Sequence, residues 1–219
     1  ARALGCRTLD GGNMAVFQAV KAFDYWMQSP DSPHEAFMFA SPPGGGKTTF
    51  VSYLAETRSD LVVGIHLCRH DDVRYRDAKI MLLSLTYQLT LQSPHYESRI
   101  RSLIIENNLT RKRLLGSKCS IAMIFTEFFE NPLAEIPIPD TERYCLIIDG
   151  LDEASQGESG RNEILETIRD YFLRLPSWLL VALTTTPRLP ILKQLRKFNA
   201  VMIEPQSIHN LEDLENHFI

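Results

Sequence analysis

Residues 41 to 49, Ser41-Pro42-Pro43-Gly44-Gly45-Gly46-Lys47-Thr48-Thr49, constrain this chain more than any other stretch. The apolar run Ala36-Phe37-Met38-Phe39-Ala40 leads into them, and Phe50-Val51-Ser52-Tyr53-Leu54-Ala55 follows with a helix-compatible pattern. Strand, glycine loop and helix in that order are the frame a phosphate-binding loop requires. Three consecutive glycines remove every Cβ where backbone N–H groups must converge on an anion. A helix opening near Lys47 adds unpaired N–H groups and the positive end of its dipole. The candidate nucleotide-binding residues are therefore Pro43, Gly44, Gly45, Gly46, Lys47, Thr48 and Thr49. Lys47 can reach the β- and γ-phosphates, and the Thr48 hydroxyl can ligate Mg²⁺. Ser41 stands where G-x-x-x-x-G-K-[ST] has its first glycine, so the cradle survives only if a serine can take the strand-end conformation. A flexible turn that happens to precede a lysine is the competing reading, and the strand-to-helix context disfavours it.

The second informative stretch is Cys145-Leu146-Ile147-Ile148-Asp149-Gly150-Leu151-Asp152-Glu153-Ala154. A short hydrophobic strand that ends in an acid places Asp149 at the sheet edge beside the phosphate loop, where it can hold a Mg²⁺ shell. Gly150 leaves room for metal and phosphates. Asp152 and Glu153 follow in the next turn, where a carboxylate can orient or deprotonate water. A strand ending in Asp-Gly also suits a hairpin, a reading that the upstream phosphate loop weakens. Further on, the buried run Trp178-Leu179-Leu180-Val181-Ala182-Leu183 ends in Thr184-Thr185-Thr186-Pro187-Arg188. Those strand-end residues either face a γ-phosphate, with Arg188 sensing it, or make an ordinary turn carrying a surface arginine.

The rest of the chain supplies alternating elements. Asn13 can cap a helix whose apolar face is Val16, Val20, Phe23 and Met27, with Phe17 and Trp26 beside it. A strand over 61–68 runs into the polar stretch 69–77, in which Arg69, Asp71 and Asp72 either contact metal or phosphate or form a solvated loop, the favoured reading. Asp77 suits an N-cap for a helix with Ile80, Leu83, Tyr87 and Leu91 on one face. A basic excursion follows, with Arg111-Lys112-Arg113 as a solvated turn, then a helix capped by Ser120 and another over 163–175. Such β/α alternation implies an α/β, three-layer fold around a mainly parallel, five-stranded sheet. With 219 residues there is room for one such domain with appended segments. The expected division is a lead and packing helix over 1–35, the nucleotide core over 36–205, and the start of a truncated C-terminal helical subdomain over 206–219. In that last part Ile208, Leu211, Leu214 and Phe218 share one helical face, and Glu212, Asp213 and Glu215 lie opposite. The opening Ala1 is not an initiator methionine, so a piece of a longer chain is expected. A net charge of −4 gives no global argument for nucleic acid or membrane. Four scattered cysteines without a C-x-x-C pair fit a reducing, cytoplasmic setting rather than a zinc site.

With these pieces placed, the chain resembles the NACHT group of STAND P-loop NTPases. The residues that carry the resemblance are SPPGGGKTT at 41–49, CLIIDGLDEA at 145–154 and LTTTPR at 183–188. It spans roughly residues 36 to 205 and implies a core with the P-loop strand central. It also implies ATP/ADP and Mg²⁺ as ligands, slow hydrolysis, a nucleotide that works as a switch in a signalling or scaffold protein, and protein partners or self-association through regions beyond this core. Asp149 would be the metal aspartate, with Asp152, Glu153 and Arg188 the catalytic candidates. A turnover enzyme, a P-loop kinase or an AAA-type ATPase, is the alternative from another class, and a binding-only domain a third. A guanine-reading Asn/Thr-Lys-x-Asp motif is missing from the sequence.

Overall fold

The computed structural model describes residues 11–29, 36–138, 142–155 and 161–203. Five strands, β1 (Ala36–Ala40), β2 (Val62–Leu67), β3 (Tyr144–Asp149), β4 (Leu179–Thr185) and β5 (Val201–Ile203), form one sheet in the order β2-β3-β4-β1-β5. Every neighbouring pair is parallel. The P-loop strand is thus not the central one. The middle place belongs to β4, and β1 lies between it and the short edge strand β5. The order of motifs along a chain does not fix the order of strands in a parallel sheet, because each crossover can skip a neighbour.

The strands are apolar on both faces, as a sheet covered on both sides requires. Alternation sorts their side chains. Ala36, Met38, Leu146, Ile148, Val181 and Leu183 enter one core, and Phe37, Phe39, Cys145, Ile147, Leu180 and Ala182 the other. Helices α1 (Gly11–Gln28) and α2 (Lys47–Thr57) cover the second face. Helix α1 opens at Gly11, which puts Asn13 inside its first turn rather than at a cap. Its Phe23 and Trp26 are fully buried and pack on Phe37, with ring centroids 5.7 Å away in both cases. Phe50 of α2 closes the same cluster 5.8 Å from Phe37, directly beneath the glycine loop. A bidentate ion pair from Arg58 to Asp24, at 2.7 and 2.6 Å, ties the end of α2 to α1. Phe17, beside that apolar face, is half exposed and lies under Lys21.

The first face is covered by α3 (Ala78–Gln92) and α8 (Glu163–Tyr171), with α9 (Leu189–Gln194) beside α8. Between β2 and β3 the chain also makes α4 (Pro94–Glu106), α5 (Arg111–Leu115), α6 (Ile121–Phe125) and α7 (Asn131–Ala134), with a π-turn over Thr126–Glu130. Asp77 caps α3 through the Ile80 N–H at 2.9 Å, and Ser120 caps α6 through Met123 N–H at 3.1 Å, as their sequence positions suggest. The inner face of α3 is Met81, Leu82, Leu85 and Leu89, whereas Tyr87 and Leu91 are exposed. This helix is apolar almost all round, so its periodicity did not choose a face.

Strand β2 leaves one edge of the sheet open, and α3 closes it chemically. The Gln88 amide accepts the Ile65 N–H at 2.9 Å and donates to the Ile65 carbonyl at 2.9 Å, imitating a neighbouring strand. An unpaired edge is a template for pairing with another chain. Gln88→Ala is expected to lower stability by about 1–2 kcal/mol and to raise association at high protein concentration. Urea unfolding and static light scattering check the two effects.

Candidate functional site

The site is built where β1, β3 and β4 end. Ser41 continues β1, is completely buried, and donates its N–H to the Thr185 carbonyl at 3.0 Å. The chain then turns, with Gly45 N–H on the Pro42 carbonyl at 3.0 Å and with Gly44 and Gly46 left-handed at φ 77° and 88°. Those φ values suit glycine and strain other residues. Gly45 is favoured for a different reason: a Cβ there would lie 1.7 Å from Ser41 Oγ and 3.1 Å from the Pro42 carbonyl oxygen, so the serine hydroxyl would have to turn away. The serine that replaces the usual first glycine is therefore accommodated, its hydroxyl filling the space beside Gly45.

Helix α2 starts at Lys47 with no side-chain cap at Gly46, which leaves its first N–H groups facing the loop. The Lys47 ammonium folds across the loop and donates to the carbonyls of Ser41 at 2.7 Å and Pro42 at 3.2 Å. Thr48 donates to Asp149 Oδ2 at 3.2 Å, joining two motifs that lie 101 residues apart. Thr49 and Pro43 are exposed at the loop surface.

Asp149 sits at the end of β3 with only 6% of its surface exposed. Its second oxygen, Oδ1, accepts the Thr184 hydroxyl at 2.5 Å, and that hydroxyl accepts the Gly150 N–H at 2.9 Å. Burial pushes the Asp149 carboxyl above the usual carboxylate range, and the bonds from Thr184 and Thr48 only partly counter it. A buried carboxylate in that condition is stabilised by a cation placed beside it. Among the described residues no cluster of three or more His, Cys, Asp or Glu could hold a metal. A hydroxyl and one carboxylate, with phosphate and water completing the shell, is the donor set Mg²⁺ prefers. These residues fit the Mg-nucleotide that the motifs imply.

Thr184 is a residue whose specific role the sequence did not reveal. Because β4 lies between β1 and β3, its strand-end threonines connect both motifs: Thr185 through Ser41, Thr184 through Asp149 and Gly150, and Thr186 through Asp152. Thr184→Val keeps the shape but strips Gly150 N–H and Asp149 of a partner. It is expected to cost about 2 kcal/mol, or roughly 4–8 °C in melting temperature, with Thr184→Ser close to wild type. Thermal unfolding followed by circular dichroism checks this.

The two acids after Gly150 have different settings. Asp152 Oδ1 accepts the Thr186 N–H at 2.9 Å, which pins the acidic loop to β4. Glu153 turns outward, with its side chain 45% exposed and Oε2 3.4 Å from His70 Nδ1. Gly150 is left-handed at φ 69°, and Asn162 holds the loop from beneath by donating to the Leu151 carbonyl at 2.7 Å. Neither His70 nor Asn162 carries a recognisable sequence signal. Arg188 is exposed on the turn into α9, and among the described residues no hydrogen bond or ion pair joins its side chain to the other candidates. Two acids of the 69–77 stretch are paired with arginines, Asp71 with Arg69 at 2.8 Å and Asp72 with Arg74 at 2.6 Å. Arg74 and its backbone N–H hold the half-buried Asp72 carboxyl at about 2.

A parallel five-stranded sheet whose glycine loop opens a helix at its lysine, with a strand-end aspartate against the following threonine, defines a P-loop NTPase fold and a nucleotide-binding module. Within that class, residues 14–185 match the model of the family described as Nephrocystin 3, N-terminal, and the chain belongs to this family. A solved Walker-type ATPase of Pyrococcus abyssi aligns with 94% of this chain and 55% of its own at 12% identity and a TM-score of 0.45. A shikimate dehydrogenase (NADP(+)) of Streptomyces avermitilis is 70% identical over 33 residues, 15% of this chain and 11% of that protein. The chain thus spans about a tenth of that curated relative and about half of that solved structure. Among the described residues no helix is long and apolar enough to cross a membrane.

Proposed function

We propose that this chain is the nucleotide-switch module of a STAND-type signalling or scaffold protein of the NACHT kind, taking Mg-ATP or Mg-ADP and hydrolysing slowly in the cytoplasm. The observation that carries the reading is the Thr48–Asp149 contact at 3.2 Å, which brings the phosphate loop and the acidic motif to one point. The backbone N–H groups of Gly44, Gly45 and Gly46 and the Lys47 ammonium receive phosphate oxygens, and Thr48 and Asp149 hold Mg²⁺. When bound, that ion neutralises phosphate charge. Glu153 orients water, Asp152 fixes the loop, and Arg188 stands on the same side for a γ-phosphate to recruit. A switch needs only contacts that a triphosphate makes and a diphosphate does not. Residues 36–205 form the nucleotide core in this reading, α1 packs on it, and 206–219 opens a further helical region through which partners are met. Residues 206–219 lie outside the described residues.

The test has two readouts on the purified chain: the nucleotide that copurifies, and the multiple-turnover rate. Copurified ADP or ATP with a turnover far below one per second supports the switch. Turnover at many per second, the range of ordinary enzymes, overturns it in favour of a kinase or AAA-type ATPase.

A further inference from the structure

Away from the nucleotide site, the excursion between α3 and β3 leaves an open apolar groove. Two adjoining cavities of about 290 and 460 Å³ share Leu109, Leu114, Cys119 and Met123 as lining. Ile124 and Phe128 form the deeper end, and Glu127 is the acidic residue on that wall. The rim is basic: residues 111–118 hold Arg111, Lys112, Arg113 and Lys118 and no carboxylate, in a chain of net charge −4. Arg113 is used locally, donating to the carbonyls of Asn107 at 3.2 Å and Asn108 at 2.7 Å. Arg111, Lys112 and Lys118 are exposed, and among the described residues no carboxylate pairs with them.

Shape and charge together select the occupant. A recessed apolar floor suits inserted side chains, whereas a membrane surface is met by protruding ones, and here only Met123 stands out, at 46% exposure. The lining has no exposed aromatic ring on which nucleic-acid bases could stack. An amphipathic helix with acidic flanks meets both demands. The sequence contains such a segment: residues 206–219 carry Ile208, Leu211, Leu214 and Phe218 at helical spacing, with Glu212, Asp213 and Glu215 opposite.

We infer that the basic-rimmed groove between α4, α5 and α6 receives the acidic segment 206–219 of a second copy of this chain. Reach argues against the same copy. Strand β5 is at one edge of the sheet, while α5 packs on α3 and α3 on β2 at the other edge. Four strand spacings amount to roughly 19 Å, before the depth of the helical layer is added. The five residue steps from Ile203 to Ile208 span at most about 17 Å. Within one copy Ile208, the first apolar position of the segment, falls short of the groove, so the segment cannot seat its whole apolar face there. Between copies nothing limits them, and the contact is head-to-tail, joining unlike surfaces.

The experiment is sedimentation velocity on the full chain over a range of concentrations, at low and high salt. Concentration-dependent association is expected, weakening as salt rises. Lys112→Glu with Lys118→Glu should weaken self-association about ten-fold or more without altering nucleotide binding. A second variant, with Glu212, Asp213 and Glu215 changed to lysine, should also be monomeric alone. Mixing the two variants places the reversed groove opposite the reversed segment and should restore a complex. A chain that stays monomeric at about 100 µM, roughly where a weak specific contact would populate, overturns the inference. So does association that ignores the charge reversals. A monomer whose lysines instead bind vesicles of anionic lipid reassigns the rim to a membrane and equally overturns it. These outcomes leave the nucleotide reading untouched, since no residue involved lies at that site.

Discussion

Lys47→Ala is expected to weaken Mg-nucleotide binding by at least about 100-fold, which is roughly 3 kcal/mol. The reason is local. Lys47 is the cation of the glycine loop, and its ammonium already spans the loop mouth on the Ser41 and Pro42 carbonyls. A phosphate entering the cradle competes for that ammonium with two neutral acceptors, and a charge-assisted bond to a phosphate oxygen is the stronger of the two. Alanine removes the charge and leaves the N–H groups of the loop to bind alone. Lys47→Arg should rescue poorly, because a planar fork cannot replace a compact ammonium in a closely wound loop. The fold should survive both changes, since Lys47 is only half-buried and contributes nothing to the aromatic cluster under the loop. Titration calorimetry with Mg-ATP and Mg-ADP reads the affinity, and circular dichroism reads the fold. Unchanged affinity in a folded Lys47→Ala chain would remove the phosphate-loop assignment.

What the sequence made legible follows from how local each signal is. The glycine loop, the strand-end aspartate and the caps at Asp77 and Ser120 are contiguous patterns, and the structure has each of them in place. The departure at Ser41 was visible, but its resolution was not, because the steric tie between Ser41 and Gly45 depends on how the loop folds back. Long-range partners were out of reach for a related reason. Gln88 covers an edge strand 23 residues away, and Thr184 reaches Asp149 across 35. Nothing in a glutamine or a threonine marks such a role until strand order is known. The inner face of α3 was hidden for the opposite reason, an excess of apolar residues rather than a lack of them. Strand order itself decides which polar residues gather at the site. With β4 in the middle, three consecutive threonines come to link the phosphate loop to the acidic loop, a consequence invisible along the chain.

The acidic pair offers the second large effect, and the structure separates two carboxylates that look alike in sequence. Glu153→Gln is expected to leave Mg-nucleotide affinity within about two-fold while slowing hydrolysis by about 10²–10⁴, the range of a lost general base. Among the described residues its carboxylate is held by a 3.4 Å contact to His70 alone and is half-exposed, free to meet a water. Asp152 is committed elsewhere, because its Oδ1 accepts the Thr186 N–H at 2.9 Å. Asparagine retains an oxygen for that bond, so Asp152→Asn should hydrolyse at close to the wild-type rate. Asp152→Ala loses the bond and should lower stability by about 1–2 kcal/mol before it lowers chemistry. Single-turnover hydrolysis under saturating nucleotide, paired with thermal unfolding, tells these effects apart. If Asp152→Asn stops hydrolysis and Glu153→Gln does not, the roles are reversed, and the Thr186 contact is one that nucleotide binding must break.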